Sequence, residues 1–147
     1  IIMNNNEYIN AYKKTEQSMN SITSSHEVIR SLMKELVNSM KKIVIDIQDE
    51  RDNINSFSTL NKESLKNKAL KKSKNLSKSL SIIYGLQTCL DFDKALEIAT
   101  NLFQLYEYCR EQIIKGFIQK IEDGIIKAID IINQIMEGWE EIPSVEK

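Results

Sequence analysis

The sequence predicts an all-α protein: an antiparallel up-down four-helix bundle preceded by a short, partly helical N-terminal arm. Three observations carry this reading. Apolar residues recur at three- and four-residue spacing along most of the chain, the period that gathers them on one face of a helix. Residues that make turns are scarce, with one proline and four glycines in 147 residues. Strand-type alternation is nowhere sustained.

Taken in order, residues 1–24 are polar and irregular, with Tyr8, Ile9, Tyr12, Met19 and Ile22 as apolar anchors, and read as a flexible arm. Ser24 and Glu27 have the spacing of a capping box at a helix start. Val28, Leu32, Leu36, Met40, Ile43 and Ile47 then form the stripe of a first long helix, widened by Ile29, Met33, Val37 and Val44. A second helix is expected from near Asn61, with Leu65, Ala69, Leu76, Leu80, Ile83 and Leu90 on its core face. Asp91-Phe92-Asp93 reads as a tight turn with Asp93 as the N-cap of a third helix. Leu102, Tyr106, Cys109 and Ile113 mark the core face there, and Gly116 is the expected C-terminal cap. Ile121, Ile125, Ile129, Ile132, Met136 and Trp139 give helix four, closed by Pro143. Short connections imply antiparallel neighbours. The expected division is an arm over 1–24, a bundle over 25–142 and a tail over 143–147.

The totals exclude several functions. Hydrophobic residues are 41% and charged residues 28%, the balance of a folded chain. The net charge is −1, which gives no general attraction to nucleic acid or anionic lipid. No apolar run approaches a membrane span, and the start lacks the basic and apolar regions of a secretory signal, so no membrane insertion is expected and the expected address is the cytoplasm. Cys89 and Cys109 are too few for a disulfide scaffold. Placed on either side of the Asp91–Asp93 turn, they lie roughly 20 Å apart along the bundle, so both are expected to be reduced and buried.

Chemistry is equally sparse. The single histidine, His26, stands at a helix start with no nucleophile or orienting group nearby, and reads as a surface residue of the first turn. Neither metal-ligand spacing nor a glycine-rich phosphate loop is present. No catalytic residue, cofactor or metal is expected. The strongest alternative is the basic first half of helix two, Lys62, Lys66, Lys68, Lys71, Lys72, Lys74 and Lys78 against Glu63, which would serve a nucleic-acid-binding helical adaptor acting through residues 62–78. Its charge winds around the helix without interleaved aromatic residues. A solvated face paired with the acidic end of helix one is the favoured account of it.

What remains is apolar surface beyond the core stripes. Ile82, Leu86 and Cys89 form a second stripe on helix two, Tyr108 points away from Tyr106, and Ile126 and Ile131 lie off the core face of helix four. Such residues either line grooves for a partner segment or fill helix seams. A bundle that only dimerises through them is a further alternative.

The segment Ile82-Ile83-Tyr84-Gly85-Leu86-Gln87-Thr88-Cys89-Leu90-Asp91, followed by Asn101-Leu102-Phe103-Gln104-Leu105-Tyr106-Glu107-Tyr108 and ending in Trp139-Glu140-Glu141-Ile142, resembles the flagellar secretion chaperone family. Tyr8 and Tyr12 match that family's N-terminal tyrosine pair. Departures include Leu32-Met33-Lys34-Glu35 in place of an L-Y-D-G segment, and His26 where a proline is usual. The resemblance implies a cytoplasmic chaperone, monomeric or weakly dimeric and without cofactor. It would bind the disordered C-terminal segment of flagellin, prevent premature polymerisation and deliver the subunit to the gate of the type III export apparatus. Ile82, Leu86, Ile98, Leu105 and Tyr108 are the expected groove residues, with Tyr8 and Tyr12 as a cap that the partner displaces.

Overall fold

A computed structural model describes residues 25–53 and 61–140. They form four helices: α1 Ser25–Asp52, α2 Lys62–Thr88, α3 Leu96–Gln119 and α4 Asp123–Glu140. The arm, the connection over 54–60, and the end of the chain with Ile142 and Pro143 lie outside the described residues.

The helices form a ring in which each packs on its sequence neighbours and α4 closes onto α1. Polar contacts fix the directions. On the α1–α2 seam Glu35 meets Lys78 while Glu50 meets Lys72, so residue numbers rise on one helix as they fall on the other. The α1–α4 pair runs the same way, with Arg51 on Glu122 at one end and His26 on Trp139 at the other. The bundle is therefore antiparallel and up-down, as the sequence predicts.

The core is the set of stripes turned inward. Ile29, Met33, Leu36, Met40 and Ile43 from α1 are almost fully enclosed, with Ile83, Leu86 and Leu90 from α2 and its C-terminal end. Leu102, Tyr106, Cys109 and Ile113 come from α3, and Ile125, Ala128, Ile132 and Trp139 from α4. Each large side chain enclosed in this way contributes about 1.5–3 kcal/mol of transfer free energy, opposed by the entropy of ordering the chain.

Several local expectations are corrected. Helix α3 is not capped by Asp93: its N-cap is Ala95, which makes no side-chain cap bond. The turn is held one step earlier, where Asp91 Oδ1 accepts from the amides of Asp93 and Lys94 at 3.0 and 3.1 Å, the Asx-turn alternative to an N-cap. Gly116 does not end α3 either. The helix runs on to Gln119, and Lys120, at φ 59°, takes the left-handed cap position. Gly116 is buried in the helix interior, where an added Cβ would stand 2.6 Å from Ile125 Cδ1 and 2.7 Å from the Ile121 carbonyl. Its lack of a side chain lets α4 approach α3. His26 is half-buried rather than on the surface, its ring stacked on Trp139. On α2, Leu65 is only half-buried and Ala69 is exposed. The buried positions of that helix begin at Ser79.

Other expectations stand. Asn61 caps α2, its Oδ1 accepting from the Ser64 amide at 2.7 Å. Cys89 and Cys109 are both free thiols. Cys109 is buried as expected, and desolvation pushes its thiol up to about 12; Cys89, expected to be buried too, is only half-buried.

Candidate partner-binding surface

Neighbouring helices decide which flank each spare apolar residue occupies. On α2, the flank toward α1 is marked by Asn75 on Asp46 and Lys78 on Glu35. Ile82 and Cys89 continue that strip at four and eleven residues beyond Lys78, the same side of the helix. Both are half-buried and pack against the core. Leu86 is 0% exposed. It was expected in the groove, but the structure makes it core, with no free surface to offer.

On α3, the flank toward α4 is marked by Gln112, whose side chain lies where a Cβ on Gly124 would sit. Leu105 and Tyr108 precede Gln112 by seven and four residues, and Ile98 precedes Leu105 by seven, so all three occupy this flank. Leu105 and Tyr108 are 37% and 36% exposed, and Ile98 is half-buried. Tyr108 opens onto a hollow of about 260 Å³ shared with Gln112, Ile121, Gly124 and Lys127. Ile131, one heptad beyond Gly124, brings a half-buried side chain to the same seam from α4.

The five expected groove residues therefore divide between two seams on opposite sides of the ring. Ile82 lies on the α1–α2 seam, with Leu86 beneath the surface nearby in sequence. Ile98, Leu105 and Tyr108 share the α3–α4 seam. The second is the more accessible apolar strip. A segment touching both would have to pass around the bundle. Tyr8 and Tyr12 lie outside the described residues.

A third apolar area escaped the sequence reading. Phe92 in the α2–α3 turn packs edge-on against Phe103, ring centroids 6.1 Å apart. Leu96 precedes Phe103 by seven residues, and Tyr84 lies three residues before Gln87, the α2 residue that donates to the Phe103 carbonyl at 3.3 Å. All four side chains are exposed, Tyr84 by 69% and Leu96 by 66%. Their separation into a turn, a helix start and an outer helix face removes any single periodicity that would have disclosed them.

Polar groups on the α2–α3 seam are mutually satisfied. Gln87 Nε2 also donates to Glu107 Oε1 at 3.0 Å, and Arg110 donates to Glu107 Oε2. The Arg110 guanidinium, with the Gln87 amide, holds the Glu107 carboxyl below its ordinary range. At the far end Glu50 bridges Lys120 at 2.5 Å and Lys72 at 3.0 Å, and its carboxyl is lowered chiefly by the bond to Lys120. Part of the lysine run thus meets acidic residues of α1, as a solvated and paired helix face would.

Among the described residues no group of His, Cys, Asp and Glu is arranged to hold a metal ion, and no helix is long and apolar enough to cross a membrane. The described residues define a closely packed helical bundle with apolar strips along its seams. Its family is shown by comparison: the family described as Flagellar protein FliS matches residues 8–146, and the chain belongs to it. The protein is similar to the flagellar secretion chaperone FliS of Vibrio cholerae, 34% identical over 64 residues, or 44% of this chain and 47% of that protein. It is also similar to the flagellar secretion chaperone FliS of Salmonella typhimurium, 35% identical over 58 residues, 40% of this chain and 43% of that one. Each matched stretch spans less than half the length of the relative.

Proposed function

We propose that this chain is a cytoplasmic flagellar export chaperone that acts by binding, without catalysis. Its partner is the disordered C-terminal segment of flagellin. It holds that segment, prevents premature polymerisation and delivers the subunit to the type III export apparatus. The observation that carries this reading is the α3–α4 seam, where Leu105 and Tyr108 stand exposed beside Ile98 and Ile131 on an otherwise well-packed bundle. Family membership and the names of the two relatives support it.

The physics suits such a client. A disordered chain can lay short amphipathic helices into apolar seams on more than one side of a small bundle. The ordering cost offsets part of the contact energy, which keeps release possible. Tyr8 and Tyr12, which lie outside the described residues, are the cap that this reading expects the client to displace.

The test is calorimetric titration with the C-terminal segment of flagellin from the same organism. One-to-one binding at roughly micromolar affinity or tighter, with a negative heat-capacity change and a gain in helicity, is the expected result. An absence of binding up to about a millimolar peptide, from a chain that is still helical, would overturn the proposal.

A further inference from the structure

Every residue from Lys66 to Lys71 is exposed, although all lie within α2. At about 100° per residue, six successive positions sweep the whole circumference of a helix. Over this stretch, then, no side of α2 rests on the other described helices. Lys62, Lys66, Lys68, Lys71 and Lys74 are all exposed and form no ion pair among the described residues.

The rest of α2 indicates which chemistry this free part takes. Lys78 and Asn75 are met by Glu35 and Asp46 of α1, and Lys72 by Glu50. Lys71 and Lys68 prolong the Lys78–Asn75 strip at four- and three-residue steps, on the same flank of the helix. α1 ends at Asp52, and the connection over 54–60 contains no acidic residue. Among the described residues, the carboxylates that answer the lower part of the strip therefore have no counterpart farther along.

We propose that the exposed lysines of the first half of α2, Lys62, Lys66, Lys68, Lys71 and Lys74, form a docking surface for an acidic amphipathic segment of another protein, separate from the apolar seams. Its carboxylates continue the pattern that α1 supplies. Leu70, 60% exposed and flanked by Lys66 and Lys74 one turn to either side, gives the segment an apolar point of contact. Residues 62–74 contain no aromatic side chain on which a nucleic-acid base could stack and no arginine. Leu65, Ala69 and Leu70 are too little apolar surface to enter a lipid interface.

The test uses the full chain and a fluorescein-labelled peptide of repeated Glu-Glu-Leu-Ala-Glu units, followed by fluorescence anisotropy. The peptide is expected to bind with a marked salt dependence. Changing Lys66→Gln, Lys68→Gln, Lys71→Gln and Lys74→Gln together is expected to weaken it by at least about tenfold, as the loss of several exposed ion pairs does. Circular dichroism reports whether helicity is kept; should it fall, the Lys66→Gln, Lys74→Gln pair alone supplies the comparison. Equal binding by the substituted and unsubstituted chains overturns the proposal, as does no binding by either. Tighter capture of a DNA duplex or a phosphatidylglycerol vesicle, lost on the same substitutions, overturns it in favour of a different class of partner.

Discussion

His26 and Trp139 hold each other by two reciprocal hydrogen bonds. The indole Nε1 donates to the His26 carbonyl at 2.9 Å, and the imidazole Nε2 lies 2.9 Å from the Trp139 carbonyl. A carbonyl can only accept, so Nε2 carries the proton. The two rings stack with centroids 5.0 Å apart and planes inclined by 11°. This clasp joins the start of α1 to the end of α4.

Trp139→Phe keeps an aromatic ring in place but removes the indole donor. It is expected to lower stability by about 1 kcal/mol, the usual net worth of one hydrogen bond with a buried partner left unmet. Trp139→Ala, which also empties a core site, should cost about 3–5 kcal/mol. Urea denaturation followed by circular dichroism measures both, and a Trp139→Phe variant as stable as the parent would show that the hydrogen bond contributes nothing.

Tyr108→Ala and Leu86→Ala should part company. Tyr108 is exposed on the α3–α4 seam, so its loss is expected to weaken binding of the flagellin segment with little change in the denaturation midpoint. Leu86 is fully enclosed, and its truncation should cost about 2–5 kcal/mol of stability. If Tyr108→Ala unfolds the bundle instead, that ring is structural and the seam assignment fails.

Gly116→Ala and Gly85→Ala should have opposite signs although both glycines are helical. At Gly85 nothing lies within 4 Å of an added Cβ, so alanine should stabilise by up to about 1 kcal/mol through helix propensity. At Gly116 the new methyl meets a backbone carbonyl and the Ile125 side chain below 3 Å. Overpacking of this kind costs about 1–3 kcal/mol, more than the propensity gain. Thermal melts of the two variants give the comparison.

Acid should loosen the end of the bundle built around Glu50. Its carboxyl titrates below the ordinary value in the folded chain because Lys120 and Lys72 face it. The stabilisation is therefore fully present above pH of about 4.5, the unfolded value, and is lost as the pH falls through the lower folded value. Partly exposed pairs of this kind are worth about 1 kcal/mol or less. A Glu50→Gln variant should lose less stability than the parent between about pH 5 and pH 3; parallel acid profiles would refute the assignment.

The sequence disclosed what periodicity encodes. The stripes from Ile29 to Ile47 and from Leu102 to Ile113 are the ones the bundle encloses, because a 3.6-residue repeat of large apolar side chains has one inexpensive resolution. It misplaced features where two local solutions compete. Asp91 and Asp93 are chemically equivalent helix starters, and the Asx turn made by Asp91 settles the choice. Gly116 could end a helix or admit a neighbour, and its proximity to Ile125 decides for the second. The candidate surface was legible as residue types but not as a site. Whether Ile82 and Tyr108 share a seam depends on which helix lies beside each flank, and only the closed ring fixes that.

The His26–Trp139 clasp joins positions 113 apart in sequence. While the ribosome is still adding residues, the inward stripe of α1 has no last wall to rest against until Trp139 has cleared the exit tunnel. Closure of the ring is thus a late, long-range event, paid for by loop entropy before it is rewarded. The first helix must wait with Met33, Leu36 and Met40 uncovered on the α4 side, in the state in which a nascent chain is most prone to misassociate.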